Sequence, residues 1–251
     1  MNYGLWMSAA GLSTEVHRQD IIANNVANAE TAGFKADTAF TIERPAPAQS
    51  LGLATPSAEM LTRLGGGVLA NDTMTDYAQG AMVDGGPLDL AIDGDGFFMV
   101  RDGDSTAYTR DGRFKRDRDG FLVDIDGRPV LGDRQRPIRL GEGEVRIATD
   151  GTVSVKADGS LEEVGRIGVA APPRDALRKS GDNLFQVADG TRVDVMRDPR
   201  VAQGTYETSN VDPIQSMSEL IQSSRSVQAA ARFIDFHDRM MELAVTRIAV
   251  G

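Results

Sequence analysis

The sequence predicts an α+β fold, with paired, coiled-coil-like helices at the two chain ends and a central all-β domain of the antiparallel sandwich or barrel kind. Apolar residues recur at helical spacing near both ends of the 251-residue chain. Asp-Gly pairs, which supply the left-handed backbone conformations of tight hairpins, recur through the middle. Short apolar or alternating runs lie between those pairs, as expected for many short strands.

The first predicted helix carries a four-three apolar repeat, interrupted only where Gln19 occupies a seam position. Such a repeat keeps one stripe on the same side of a slightly underwound helix, which is typical of a coiled-coil seam. The seam consists of Leu5, Ala9, Leu12, Val16, Ala23 and Val26. Stripes of this kind often cover a protein's own core, so this alternative stands beside assembly with other chains.

The last predicted helix carries apolar residues on two faces. Its seam has three-four spacing and consists of Met217, Leu220, Ser224, Val227, Ala231, Ile234, Asp238, Met241, Val245 and Ile248. A second stripe lies on nearly the opposite side and consists of Ala229, Phe233, Phe236, Met240 and Leu243. A helix that is apolar on two faces is buried on two faces. Because one partner helix covers only one of them, we expect helices of several chains to surround this element.

The energetics of the first helix favour assembly over a free-standing segment. Burying six seam side chains yields at most ~9 to 18 kcal/mol, at ~1.5 to 3 kcal/mol each. Ordering about 25 residues of backbone costs ~1 to 2 kcal/mol per residue. Helical hydrogen bonds add only modest net stability. The segment therefore needs neighbours.

Changes of composition divide the chain into four regions. Asparagines crowd the end of the first helix, and Gly33 offers the positive-φ position that usually stops a helix. The stretch from Pro45 to Gly67 is rich in Pro, Ala, Ser and Gly, which indicates a linker. The predicted regions are an N-terminal helix over 1–35, a linker or extended arm over 36–80, a β domain over 81–206 and a C-terminal helix over 207–251.

The composition narrows the classes of partner. Asp and Glu total 37 against 27 Lys and Arg, a formal net charge of -10, which disfavours nucleic acid and anionic membrane surfaces. The chain has no cysteine, which removes disulfides and thiol chemistry. No cleaved signal peptide and no bilayer-spanning apolar segment is evident, so we expect no direct membrane insertion.

Catalytic and ligand-binding patterns are missing from the sequence. His17 and His237 lie off the seams, and no Gly-x-Ser-x-Gly pattern accompanies them. The acidic pairs before Gly120 and Gly127 lack the EF-hand ligand spacing, so they are interpreted as turns. We therefore expect no enzyme activity, metal or cofactor. Two alternatives stay open: a secreted, calcium-stabilised, β-rich adhesin-like protein, and a glycosidase that uses two carboxylates.

Four stretches together resemble one family. Residues 23–35 form an asparagine-rich helix end followed by Thr-x-Gly-Phe-Lys, a pattern similar to the signature of bacterial flagellar rod and hook proteins. Residues 87–98 and 108–112 resemble the central β region of that family, and 207–212 resemble the lead into its C-terminal helix. The chain start resembles the distal rod type, whereas the short connection before Ser209 resembles the proximal type.

The resemblance implies a structural subunit of the flagellar basal-body rod. Such a subunit self-assembles through its terminal helices into the axial tube, which transmits torque, carries exported subunits and crosses the periplasm. It implies export by the flagellar type III apparatus without a cleaved signal peptide, with copies of itself, other rod and hook subunits and that apparatus as partners. The expected assembly-interface residues are Leu5, Leu12, Val16, Val26, Asn24, Asn25, Asn28, Gly33, Phe34, Ser209, Asn210, Val211, Met217, Leu220, Val227, Phe233, Ile234, Phe236, Met241, Val245 and Ile248.

Overall fold

The computed structural model describes the chain in two compact units. The described residues are 3–43, 68–70, 73–157, 160–188 and 190–249. The helical unit comprises the described residues of 1–27, 36–76 and 211–251, and the β unit comprises those of 28–35 and 77–210. The expected α+β class is confirmed, with a helix near each end of the chain and a β-rich region between them.

Two long helices dominate the helical unit. Helix α1 spans Tyr3–Ala27 and helix α2 spans Pro213–Ala249, a length of about 55 Å at 1.5 Å per residue. Asp212 caps α2, because its Oδ1 accepts the backbone N–H groups of Ile214 at 2.9 Å and Gln215 at 3.0 Å. Pro213 follows this cap at the first helical position, where its fixed φ suits the helix.

The two helices pack against each other and run antiparallel. The buried Ser223 hydroxyl donates to the Glu15 backbone carbonyl at 3.4 Å. Ala230, seven positions further along α2, lines the same groove as Gly11, which is nearer the start of α1. The order of these contacts reverses between the helices, which defines the antiparallel direction.

The expected coiled-coil seam is not the face of α1 that the chain itself covers. Thr14, Ile21 and Asn25 are buried, whereas Val16 is 40% exposed and Ala23 is exposed. At about 100° per residue, the buried positions lie on the side opposite the predicted stripe. The buried face combines the polar Thr14 and Asn25 with Ile21 and Ile22, and the spacing of apolar residues does not register its polar members. A coiled-coil pairing is therefore not confirmed.

Asn25 provides the main polar anchor of α1 within the helical unit. Its Nδ2 donates to the Asp37 carbonyl at 2.7 Å, and its Oδ1 accepts the Asp37 N–H at 3.0 Å. The Thr14 hydroxyl donates to the Ala10 carbonyl one turn earlier at 3.0 Å. These bonds satisfy polar groups that face inward.

Part of the predicted linker is paired β structure. Strand β1 (Asp37–Thr38) pairs with β4 (Met74–Thr75), and β2 (Thr41–Glu43) pairs with β3 (Val68–Ala70), both antiparallel. These strands belong to the helical unit, so 36–80 is not a single extended arm. The Pro-, Ala-, Ser- and Gly-rich stretch from Pro45 to Gly67 lies outside the described residues.

The β unit contains fourteen of the strands that the described residues form. They are β5 (Met82–Asp84), β6 (Leu90–Ile92), β7 (Phe97–Asp102), β8 (Ser105–Thr109), β9 (Lys115–Arg116), β10 (Leu122–Val123), β11 (Glu144–Ile147), β12 (Thr152–Ala157), β13 (Ser160–Arg166), β14 (Val169–Ala170), β15 (Leu177–Gly181), β16 (Leu184–Val187), β17 (Val201–Gln203) and β18 (Thr205–Glu207). Every pairing between them is antiparallel.

These strands form several small sheets. The largest has the order β14-β7-β8-β16-β15, and a second has the order β11-β12-β13. Three two-stranded ribbons complete the unit: β9 with β10, β6 with β17, and β5 with β18. A sandwich or barrel is not confirmed. The last two ribbons join the start of the β region to its end, so both extremities are needed to complete the unit.

Strand β7 separates two apolar clusters by the alternation of its side chains. Phe98 and Val100 belong to a large cluster, whereas Phe97 and Met99 belong to a smaller one. Successive side chains of a strand point to opposite faces, so one strand serves both clusters. The smaller cluster also contains Tyr108, Leu131, Ala170, Leu177 and Phe185.

Most of the described Asp-Gly pairs, but not all, have the glycine conformation that the predicted turns require. Gly94, Gly103, Gly120, Gly127 and Gly151 have positive φ. Gly85 and Gly112 are the exceptions, because neither has a positive φ; a Cβ at Gly112 would collide with the Leu90 carbonyl oxygen, and one at Gly85 with the Asp89 carboxylate. The predicted strand over 192–195 reduces to an isolated bridge between Ala170 and Val195.

Candidate assembly surface and buried junction

An apolar strip on α2 faces solvent in the isolated chain. Its members lie three or four positions apart, so they share one face of the helix. The strip consists of Phe233 (57% exposed), Phe236 (61%), Met240 (57%) and Leu243 (61%). Large apolar side chains arranged contiguously on a surface mark interaction sites. This strip is the second stripe that the sequence predicts.

The predicted seam of α2 lies mostly on the side that is partly covered. Leu220, Val227, Ile234 and Met241 are half-buried, whereas Met217 is 52% exposed. On α1, Leu12 and Val26 are half-buried. Leu5 belongs to α1, and Val245 and Ile248 belong to α2, but their side chains lie outside the described part of the chain.

Three charged side chains meet in the interior of the β unit. Lys35 Nζ lies 2.5 Å from Glu207 Oε1, and Arg110 Nη1 lies 3.0 Å from Glu207 Oε2. The side chains of Lys35 and Glu207 are fully buried and that of Arg110 nearly so. We call these three residues the buried junction. One carboxylate thus serves two cations away from water, where electrostatic interactions are strong.

Backbone groups complete the hydrogen bonding of the buried junction. Lys35 Nζ also donates to the Ala78 carbonyl at 2.7 Å, and Glu207 Oε1 accepts the Gly80 N–H at 2.8 Å. Arg110 Nη2 donates to the Gly94 carbonyl at 2.6 Å. Buried charges are tolerated only when paired and hydrogen-bonded in this way.

Arg110 carries one polar atom that this network leaves out. Its Nε is buried and lacks a hydrogen-bond partner among the described residues. The guanidinium carbon lies 5.3 Å from the centroid of the Phe97 ring, a separation at which a cation is attracted to the aromatic face. The ring thus offsets part of the missing hydrogen bond.

Gly33 allows the chain to approach the buried junction. Its φ of 67° is in the left-handed region, and a Cβ there would collide with the backbone of Arg110 and Asp111. Its N–H donates to the Glu207 carbonyl at 2.8 Å. The Thr-x-Gly-Phe-Lys signature therefore requires glycine both for the dihedral angle and for close approach.

A hairpin holds the same segment from another direction. Lys179 Nζ lies 4.3 Å from the centroid of the Phe34 ring and donates to the Lys35 carbonyl at 2.6 Å. Asn183 Nδ2 donates to the Ala32 carbonyl at 2.6 Å. Lys179 lies on β15 and Asn183 in the turn between β15 and β16, so a hairpin of the largest sheet supports the signature.

Several residues expected at an assembly interface lie inside the chain's own fold. Gly33, Phe34 and Ser209 are buried in the β unit, and Asn210 donates its N–H to the Phe34 carbonyl at 3.3 Å. Of the remaining expected positions, Asn25 and Val211 are buried, Asn28 is half-buried and Asn24 is exposed. The sequence motifs near 30 and 210 thus have a clear role in holding the β unit together.

Sequence reasoning missed the side chains that matter most at this junction. Lys35, Arg110 and Glu207 all lie within the motif stretches, but none carries a local pattern that predicts an ion pair. The signal that could have found them is the presence of one of these charged residues in each of three motifs, at the edge for Lys35 and Glu207 and at the centre for Arg110. Charges in such stretches are ordinarily solvated.

The first aspartate of each acidic pair accepts backbone hydrogen bonds and stabilises a turn, as the sequence predicts. Asp117 Oδ1 accepts the backbone N–H groups of Asp119 at 3.0 Å and Phe121 at 2.7 Å. Asp124 Oδ1 does the same for Asp126 and Arg128, at 2.9 and 2.7 Å. Within the described ranges, no group of His, Asp and Glu side chains is arranged to hold a metal ion.

The local structure of the β unit raises the pKa of two ionisable side chains, Tyr108 and Arg113. Burial raises the pKa of Tyr108, whose ring belongs to the smaller apolar cluster. A hydrogen bond to Asp111 raises the pKa of Arg113 despite partial burial.

His17 and His237 lie half-buried on α1 and α2. No helix in the described part of the chain is long and apolar enough to cross a membrane.

The long terminal helices, the β unit and the motif junction together define a flagellar axial protein, and comparison with known proteins agrees. Residues 7–35 match the family described as flagella basal body rod protein, and residues 91–155 match the D1 domain of flagellar hook protein FlgE/F/G. Residues 202–247 match the C-terminal region of flagellar basal body rod FlgEFG protein.

Relatives match over almost the whole chain. The flagellar basal-body rod protein FlgF of Caulobacter vibrioides is 35% identical over 99% of this chain and 98% of its own length. FlgG of Borreliella burgdorferi is 33% identical over 97% and 98%, and FlgF of Escherichia coli is 31% identical over 95% of each. The chain belongs to the flagellar basal-body rod protein family.

Membership of this family assigns a structural role in the flagellum and no enzymatic activity. The adhesin-like and glycosidase alternatives find no support in these comparisons. The predicted family resemblance is confirmed, and both the FlgF and the FlgG kind occur among the relatives.

Proposed function

We propose that this chain is a self-assembling subunit of the flagellar rod, with α1 and α2 forming the wall of an axial tube. In this role the tube transmits torque and carries exported subunits across the periplasm. The partners are copies of this chain, other rod and hook subunits and the export apparatus. Export of the chain proceeds through the flagellar type III apparatus.

The apolar strip is the observation that supports this proposal most directly. Four large side chains on one face of α2 are more than half exposed. Removing each from water is worth ~1.5 to 3 kcal/mol, so a free strip is a strong driving force for association. Neighbouring helices of other subunits would cover this face while α1 of the same chain covers another.

Truncation of the strip tests the proposal. We expect Phe233→Ala with Phe236→Ala to block polymer formation, because each truncation of a covered Phe costs ~3 to 5 kcal/mol. The measurement is electron microscopy of the purified chain, with sedimentation to determine the polymer fraction. Leu161→Ala is the matched control, since Leu161 is 58% exposed but lies on β13 of the β unit.

Two further variants extend the test to the predicted seams. Leu12→Asp on α1 and Ile234→Asp on α2 each place a charge among apolar groups, which costs several kcal/mol without a partner. We expect both to abolish assembly while the thermal unfolding of the β unit is unchanged. Normal rods and normal motility in cells that carry the double Phe variant would contradict the proposal.

A further inference from the structure

A groove in the helical unit lies beside the antiparallel helices. Its volume is 480 Å³, and small or apolar residues form much of its wall: Ser8, Gly11, Leu12, Ala39, Ala230 and Phe233. Gly11 leaves particular space, because a Cβ built there would meet no atom within 4 Å. The groove therefore has room for at least one large apolar side chain.

Two charges line the groove and two flank the apolar strip. Glu15 and Arg18 are one helical turn apart on α1, at the groove. Asp235 and Arg239 are exposed and one turn apart on α2, next to Phe236 and Met240. Within the described ranges, none of these four charges belongs to an ion pair.

From these features we infer that the groove of one copy receives Phe236 and Met240 of a second copy. The inference rests on the proposed function and names the contact through which copies join. In this arrangement Glu15 pairs with Arg239 of the second copy and Arg18 pairs with Asp235. The order of charges matches when α1 and the incoming α2 run antiparallel, as they do within one chain.

A single chain cannot fill its own groove in this way. Ala230, at the groove, and Phe236, on the strip, are six positions apart on one helix, which places them about 120° apart around its axis. Phe233 belongs both to the groove wall and to the apolar strip, so the two surfaces adjoin, and Phe236 and Met240 lie about one and two turns beyond Phe233 along α2. A contact in which the groove of each copy receives Phe236 and Met240 of the next is heterologous, and such contacts generate rings or open helical polymers.

Filling the groove gives the first test. Gly11→Met adds a side chain where no atom stands in its way, and it replaces a glycine, which has a low helix propensity, by a good helix former. The monomer should therefore unfold at the same temperature as the wild type or higher. Polymerisation should nevertheless fail, because the space for Phe236 or Met240 of the next copy is occupied.

Charge reversal gives the second test. Glu15→Arg and Arg239→Glu should each raise the critical concentration for polymerisation about tenfold or more, because each places like charges together. The double variant should restore wild-type assembly, since the pair is then re-formed with opposite signs. Restoration by the double variant identifies a contact between copies, which a fold defect in either single variant could not produce.

The outcomes separate this inference from the proposed function. If wild-type protein polymerises, and Gly11→Met polymerises equally well with no restoration in the charge series, something other than a second copy occupies the groove and the inference is overturned. The proposed function would survive that result. If wild-type protein forms no polymer under any condition that supports rod assembly, both are overturned together.

Discussion

Lys35 and Glu207 are 172 positions apart in the chain, yet Nζ and Oε1 lie 2.5 Å apart with both side chains fully buried. One residue ends the signature that follows α1, and the other ends strand β18, six residues before α2 begins. The ion pair therefore joins the end of the first segment of the β unit to a point near the end of its second segment. Arg110 from the middle of the chain completes the contact.

Neutralising Glu207 should destabilise the protein strongly. Glu207→Gln keeps the shape of the side chain but removes the carboxylate charge that Lys35 and Arg110 both contact. Breaking such a pair costs ~3 to 5 kcal/mol, which chemical denaturation measures. Glu162→Gln, at an exposed position on β13, should change the free energy of unfolding little. Equal unfolding midpoints for the two variants would contradict the assigned role of Glu207.

Replacing Gly33 by alanine should lower the free energy of unfolding by more than the positive φ alone explains. Gly103 has a similar φ of 59° but no atom within 4 Å of a Cβ, so Gly103→Ala isolates the dihedral cost of roughly 1 to 2 kcal/mol. Gly33→Ala adds a collision with the backbone of Arg110 and Asp111. We expect a clearly larger loss of unfolding free energy for Gly33→Ala. Equal losses would show that the segment relaxes without strain.

Arg128 should act as an internal counter-ion for surrounding carboxylates. Burial lowers its pKa, but hydrogen bonds to Asp124 and Asp126 outweigh that effect and raise the pKa above its ordinary value. Its guanidinium also contacts Asp102 at 3.5 Å and Asp182 at 2.8 Å. Four carboxylates around one cation form a network, and networks contribute more than isolated surface pairs.

Removal of Arg128 tests this network. Arg128→Ala should lower the free energy of unfolding by more than the ~1 kcal/mol ceiling of a single exposed pair, because the carboxylates then repel one another. Added salt should shrink the deficit by screening that repulsion. Arg192→Ala removes an exposed pair with Asp194 and is the matched control. A deficit that does not depend on salt would contradict the electrostatic explanation.

The carboxyl group of Asp150 should have a pKa below that of an ordinary aspartate. The backbone N–H and the hydroxyl of Thr152 donate to its carboxylate, at 3.0 and 2.9 Å, and lower the pKa of Asp150. A lowered folded-state pKa means that the turn is stabilised above the unfolded pKa, and that this is lost as the pH falls through the folded pKa. Carbon-13 NMR should give a midpoint below that of ordinary aspartate.

Thr152→Val separates the two donors of that turn. It removes the hydroxyl bond and keeps the backbone bond, so the Asp150 midpoint should rise only part of the way towards the ordinary value. Since Asp150 is exposed, the effect on overall stability should be small. A wild-type midpoint at or above the ordinary aspartate value would refute the turn geometry.

Local sequence patterns predicted much of this fold because they reflect local interactions. The turn at Asp119-Gly120 follows from a short polar side chain and a positive φ, both of which are properties of adjacent residues. The apolar strip of α2 follows from helical spacing alone. On α1 the seam residue Val16 is 40% exposed, and Asn25 binds the Asp37 backbone from the opposite face, a contact that apolar spacing does not predict.

The sequence by itself determined the two helices, the β-rich centre and its Asp-Gly turns, the uncovered strip on α2 and the family. Each depends on residue spacing or on short motifs. Only the tertiary structure decided which face of α1 is covered, how 37–43 pairs with 68–75, and that Lys35, Arg110 and Glu207 share one buried site. The physical reason is that such contacts form between residues far apart in the chain, once loops have closed and burial has made each charge depend on its partner.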